Sequence, residues 1–348
     1  MENCTIELVS NLSVLETMKI KSVQRCRTTI LVCISFSVVF LFGGCREVVN
    51  KKEGLLDKNF KLQLPNDENL ELIWVEPGSF AMGSSPNEPG YDIEEIQHQV
   101  TLLSGYWLGK YEVTQGQWKS IMNTSIEEQF KIAGRGTVVG DAPNEPIYFV
   151  SWEDAMEFCQ KLTEQERIAG RLPNGFEYAL PTEAQWEYAC RAGTQTATSG
   201  GDLTLSGDLA RAPEMDKQAW YYENCAIPNG DKTWSGTWKP KEQGRAIEVT
   251  IDKGGVHPVG EKQANAWGFH DMHGNVWEMC FDWFGDYPTA NIKDPIGPNN
   301  GAIRVKRGGS WAHPAISCRS ANRSGVKPGF RIDVTGFRLA LSTKNNFN

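Results

Sequence analysis

Between Gly268 and Trp283 the chain reads GFHDMHGNVWEMCFDW, a run dense in oxygen ligands, aromatic rings and turn residues. Asp271, Gly274, Val276 and Glu278 are spaced so that two carboxylates and two backbone carbonyls can converge on one hard cation of the calcium type, which takes roughly six to eight oxygens. Glycine at 274 suits such a site, because it turns the backbone sharply and lets a carbonyl approach an ion with no Cβ in the way. The same residues also fit a loop entering a buried strand. In that arrangement Asp271 makes a local turn bond, Val276 and Trp277 lie on opposite faces, and Glu278 joins a salt bridge. Spacing leaves both readings open.

At 348 residues the chain has room for one large domain or two ordinary ones. A hydrophobic content of 40% fills a core, and 12 Trp with 34 Gly and 17 Pro predict a loop-rich globule whose indole rings fill the volume between short elements. The formal charge of −8 argues against a nucleic-acid partner, which requires a basic face.

The N-terminal stretch has the order of an export signal. Lys19, Lys21, Arg25 and Arg27 precede an apolar run from Ile30 to Phe42, too short to span a bilayer and suited to the hydrophobic core of a secretory signal. Gly43 and Gly44 stand just before Cys45, a pattern similar to a bacterial lipoprotein signal in which that cysteine carries the lipid. A plain secretory signal is the alternative, and Met18, immediately before the basic cluster, is a candidate start. The expected organisation is a signal over 1–44, a polar tether over 45–70 and a folded domain over 71–342, anchored in the cell envelope through lipid alone. Of nine cysteines, Cys159, Cys190, Cys225, Cys280 and Cys318 follow the leader. Their number is odd, so at least one thiol stays free, pairs with a partner or binds metal.

Along the domain, LIWVEPGSFAMG reads as two short strands joined by a turn at Pro77–Gly78. YWLGKYEVTQGQW reads as a strand passing into a helix, with Thr114 as N-cap and Gln117 three residues later. Residues 123–145 read as a surface loop. Ser151 caps a helix to about Leu162, with Ala155, Phe158, Cys159 and Leu162 on one face. Thr182 and Gln185 form a capping box for a helix that stops at Gly193 and carries Trp186, Ala189 and Cys190 on its apolar side. Residues 195–256 read as long loops with short strands, and no repeat of solenoid length is present. Gly308 and Gly309 precede Ser310 and Trp311, a way of presenting side chains at a site. GFRLA, from Gly336 to Ala340, reads as a closing strand.

Taken in order, MGS, WLGKYEVTQGQW, VSWEDAMEFC, LPTEAQWEYACRAGT, NAWGFHDMHGNVWEM, RGGSW and GFRLA resemble the formylglycine-generating enzyme family, also called sulfatase-modifying factors. The resemblance runs from about Leu72 to Leu341. It implies a single α/β domain of the α+β kind, compact, low in regular secondary structure and related to C-type lectins. It also implies calcium ligation by the side chains of Asp271 and Glu278 and the carbonyls of Gly274 and Val276, with a second calcium site near residues 220–250.

The family's oxidases convert a sulfatase cysteine to formylglycine through two cysteines that hold copper(I), a soft ion suited to thiolates. Ser310 matches the serine of the turn and Cys318 the second of those cysteines, whereas His313 stands in place of the first. The resemblance therefore implies either an altered site of Cys318, His313 and Ser310 or an inactive relative. The family's disulfides do not carry over: the positions that would pair with Cys159 and Cys190 are Leu339 and Arg323, which leaves a bridge between Cys159 and Cys190 as the expectation. Two functions follow. One is oxygen-dependent modification of a sulfatase or of its unfolded Cys-x-Pro-x-Arg segment, and the alternative is a non-catalytic, calcium-stabilised, lectin-like binding or assembly module. A third branch of the fold, the sulfoxide synthases, holds iron with histidines of an added N-terminal domain, and residues 1–97 contain no histidine.

Overall fold

The computed structural model describes residues 58–343 except 207–210, 228–229, 239–240, 243–244 and 247. The signal, Cys45 and the first part of the tether, through residue 57, lie outside the described residues.

The folded chain begins earlier than the polar composition of the tether suggests. Asn59–Gln63 is a strand paired antiparallel with Asn69–Val75, and its Leu62, together with Leu64 just beyond it, is buried. Polar residues alternate with these two leucines, so the leucine side of a segment that looks like linker faces the core. The five-stranded antiparallel sheet continues through Tyr106–Gly109 and the closing strand Ala340–Thr343 to Phe176–Ala179. GFRLA thus contributes only its last residue to that strand. A four-stranded sheet gathers Arg323–Val326, Arg304–Arg307, Trp277–Trp283 and Thr335–Gly336. The two strands read in LIWVEPGSFAMG are Asn69–Val75 and Gly78–Met82, and the second leaves for a separate three-stranded sheet.

Helix α1 (Gln115–Met122) and helix α2 (Ile126–Ala133) are joined by three residues, and each begins with a complete capping box, Thr114 with Gln117 and Ser125 with Glu128. The second corrects the expected surface loop over 123–145, whose polar composition hides a box of the same type. Helix α3 (Trp152–Ile168) is capped by Ser151 and Asp154 and runs past Leu162. Its last turns carry Glu166, which holds the Arg171 guanidinium at 2.6 and 2.7 Å. Helix α4 (Glu183–Arg191) begins at the Thr182–Gln185 box and ends as Ala192 and Gly193 turn left-handed. No helix among the described residues is long and apolar enough to cross a membrane.

The five-stranded sheet divides the core. Leu72, Trp107, Tyr178 and Leu341 share one cluster with Phe158, Cys159 and Leu162 of α3. Val75, Tyr106, Leu108 and Ala340 share the other with Trp186, Ala189 and Cys190 of α4. Neighbouring residues of a strand point to opposite faces, so the two helices lie on opposite sides of the sheet. This overturns the expected Cys159–Cys190 bridge. No disulfide joins the five cysteines among the described residues, and all five are buried.

Candidate functional site

The segment from Asp271 to Glu278 crosses the middle of the domain. Asp271 has φ 55°, in the left-handed region, and its Oδ2 accepts the backbone N–H of Gly260 at 2.7 Å. Gly274 has φ 80°, and a Cβ there would lie 2.1 Å from the Trp220 carbonyl oxygen, so no other residue fits. Glu278 is fully buried in the strand Trp277–Trp283. Arg338 binds both its oxygens, Nε to Oε2 at 2.5 Å and Nη2 to Oε1 at 2.6 Å, and Trp186 Nε1 donates to Oε2 at 2.7 Å.

Sequence spacing does not reveal two members of this cluster. Glu112, buried between Tyr111 and Val113, accepts the Val276 N–H at 3.1 Å and the Asn275 side-chain amide at 2.7 Å. Arg338, in GFRLA, is as buried as the acid it binds. A charge flanked by apolar residues is the only local signal either offers.

Three buried carboxylates therefore surround one guanidinium. Burial pushes the Asp271 carboxyl up to about 6. Burial, followed by Asp271 and Glu278, holds Glu112 well above the usual carboxylate range. Asp271 Oδ1 is buried with no hydrogen-bond partner. A carboxylate oxygen accepts at two lone pairs. Glu278 Oε2 is filled by Arg338 and Trp186, while Oε1 keeps one site. Among the described residues no three His, Cys, Asp or Glu side chains converge as a metal cage. What remains on these side chains is Asp271 Oδ1 and one position on Glu278. It is oxygen-only and carries excess negative charge, which fits a hard cation.

The second group of expected residues lies after the Gly308–Gly309 turn, where both glycines have positive φ. A Cβ on Gly309 would stand 2.4 Å from Cys318 Sγ, so the turn packs directly on the thiol. Ser310 Oγ is 2.6 Å from His313 Nδ1. The His313 ring meets Trp277 edge to face at 5.2 Å between centroids, with the indole N–H toward it. Burial, with Lys306 adding to it, pushes the imidazole well below its ordinary range, so the ring is neutral. Ser310 and Cys318 have no exposed surface. Copper(I) in a two-thiolate site is held by two anionic sulfurs. Here one sulfur and a neutral, hydrogen-bonded imidazole do not fit that role.

Beside His313 in the chain, Trp311 and Ala312 line a groove of about 230 Å³ with Trp234, Ile332, Asp333 and Val334. Trp234 and Trp311 approach at 6.4 Å and 62°, and Trp311 Nε1 donates to the Asp333 carbonyl at 3.2 Å.

Comparison with known proteins places these motifs. The family model described as "Sulfatase-modifying factor enzyme 1-like domain" matches residues 60–343. The chain is 29% identical over 296 residues to the chaperone protein LppX of Paenibacillus barcinonensis, covering 75% of this chain and 88% of that protein. It is 32% identical over 218 residues to a formylglycine-generating enzyme of Thermomonospora curvata and 35% over 208 residues to that of Streptomyces coelicolor. Those alignments cover 60% and 57% of this chain, and it spans only 59% and 53% of the two enzymes. Among solved structures, Treponema denticola variable protein 1 superposes with a TM-score of 0.61 at 26% identity, covering 82% of this chain and 99% of that one. PvdO of Pseudomonas aeruginosa, at 22% identity and a TM-score of 0.57, covers 83% of this chain and 100% of its own and shares the fold.

Proposed function

Since the chain belongs to the sulfatase-modifying factor enzyme 1-like family, we propose that it is a non-catalytic member, a calcium-stabilised binding or assembly module of the cell envelope anchored by lipid on Cys45. The observation that carries this reading is His313 in the place of a copper-binding cysteine, neutral, buried and tied to Ser310 at 2.6 Å. A cysteine oxidase needs a thiolate pair within reach of its substrate. Here one thiol is replaced and the other, Cys318, lies wholly buried against Gly309. What the surface offers instead is the apolar groove of Trp234, Trp311, Ala312 and Val334. Indole rings flanking such a groove suit an extended polypeptide. The unfolded Cys-x-Pro-x-Arg segment of a sulfatase is the first ligand to test. Calcium would be held by Asp271, Glu278 and the carbonyls of Gly274 and Val276, and would supply charge compensation rather than chemistry.

The test combines two measurements on one peptide carrying the Cys-x-Pro-x-Arg segment. The peptide is incubated with protein, copper and oxygen and examined for aldehyde, and its binding is followed by tryptophan fluorescence. Binding without aldehyde, weakened in Trp311→Ala, supports the module. A second reading, an oxidase with a changed ligand set, is favoured by the retention of Ser310, Cys318 and the Gly308–Gly309 turn. Aldehyde formed by the wild type and lost in His313→Ala establishes that reading and ends the first.

A further inference from the structure

A cavity of about 290 Å³ takes no part in the groove or the calcium cluster. It lies where Asp282, on the strand Trp277–Trp283, meets the first residues of α4. Much of its wall is apolar, with Ile292, Ile296 and Pro298 among the lining residues. Asp282 lines it at only 4% exposure. Its Oδ2 accepts the backbone N–H of Glu183 at 2.8 Å, and its Oδ1 bonds to no other described residue. His98, also in the lining, packs against Tyr287 at 4.6 Å between centroids with the rings tilted by 57°, and places Nδ1 3.1 Å from the Ile96 carbonyl. In the neutral ring Nδ1 therefore carries the proton and Nε2 is an acceptor.

The guanidinium in the lining is already engaged. Arg323 spends Nε and Nη2 on the two oxygens of Glu183 at 2.6 and 2.8 Å, and Nη1 on the carbonyls of Glu94 and Gly285 at 3.0 Å. The cavity offers acceptors at its polar end and hydrocarbon along its wall, with exposed Asp286 also in its lining. We propose that it binds a primary alkylammonium group, with Asp282 and His98 accepting its N–H donors and the alkyl chain lying along Ile292, Ile296 and Pro298. Its volume stands at the low end of ligand pockets, roughly 300 to 1,000 Å³, which selects a short amine or a single lysine side chain over a nucleotide or an oligosaccharide. Glu183 on α4, Arg323 and Arg304 on their strands, His98, Tyr287 and Asp286 are the charged or titratable groups around Asp282. Burial, with Glu183 adding to it, holds its carboxyl up at about 8 despite the arginines. A bound ammonium would reverse that shift.

The full chain is titrated with butylammonium chloride, butan-1-ol and sodium butyrate, with binding followed by ligand-observed NMR. The expected result is saturable binding of butylammonium alone, weakened at least tenfold by Asp282→Asn. Ile296→Trp, which fills the cavity without altering the buried acid, gives the same loss and decides the matter if Asp282→Asn does not fold. A parallel titration with Nα-acetyl-lysine methylamide separates the two sources of the group: binding as tight as butylammonium assigns a polypeptide lysine, and no binding assigns a free amine. No saturation by butylammonium, equal binding of butan-1-ol or butyrate, or affinity unchanged in both variants overturns the proposal.

Discussion

Replacing Asp271 by asparagine is expected to stabilise the protein without calcium and to abolish the stabilisation that calcium brings. The folded-state value of Asp271, about 6, lies above its ordinary 3.8. The folded protein therefore holds a proton that the unfolded chain releases. The resulting penalty is absent below about pH 4, grows as the pH rises toward 6, and at pH 7 amounts to about 3 kcal/mol. Asparagine carries no charge to desolvate, keeps an oxygen for the Gly260 N–H, and tolerates the left-handed φ of 55° better than most residues. In chelator at pH 7 the variant should exceed the wild type by up to about 3 kcal/mol, the difference vanishing near pH 4. In calcium at a hundred times the dissociation constant, the wild type should gain about 2.7 kcal/mol and the variant almost nothing. Melting temperatures in chelator and in millimolar calcium, at pH 7 and pH 4.5, resolve this at about 2–4 °C per kcal/mol. A wild type indifferent to calcium, or a variant that gains as much as the wild type, refutes the reasoning.

Arg338→Met is expected to cost about 3–5 kcal/mol in urea unfolding, because it leaves Glu278 buried without its counter-charge and facing Glu112. His313→Cys should bind copper(I) more tightly than the wild type in an anaerobic titration, since it supplies a second anionic sulfur in addition to Cys318; equal affinity would mean that Cys318 cannot reach a shared ion. Mass spectrometry of the mature N-terminus should find lipid on Cys45, and a free amino terminus at any other residue defeats the lipoprotein assignment.

Much of the fold is legible because helix starts are encoded locally. Thr114 with Gln117, Ser151 and Thr182 with Gln185 each mark a helix that the structure contains. Ser125 with Glu128 carries the same signal and is passed over only because its surroundings are polar and glycine-containing. Burial in short irregular strands is harder to read. Asn59–Gln63 shows no apolar run, and its place in the sheet depends on pairing with Asn69–Val75, a partner that composition does not announce. The pairing of Cys159 with Cys190 fails for a related reason. Each lies on the apolar face of its helix, but which side of the sheet a helix covers is settled by the order of strands, not by its own residues.

At the buried carboxylate cluster, spacing within one loop proposes ligands, while the counter-charges come from remote segments. Glu112 reaches Val276 across 164 residues, and Arg338 reaches Glu278 across 60. The loop-to-strand reading of the Asp271–Glu278 run is therefore met in part. Asp271 bonds to the Gly260 backbone and Glu278 lies in a salt bridge, as a buried loop-to-strand segment requires. A single guanidinium nevertheless faces three carboxylates, and Asp271 Oδ1 bonds to nothing. Packing alone would have no use for that third acid, since an apolar residue of like shape costs less to bury. Salt bridge and proposed cation then belong to one balance: Arg338 offsets one charge, and the remaining two would be met by a proton or by a divalent ion. The same two charges explain why the response to calcium should fade as the pH falls through 6, where a proton on Asp271 takes the place of the ion.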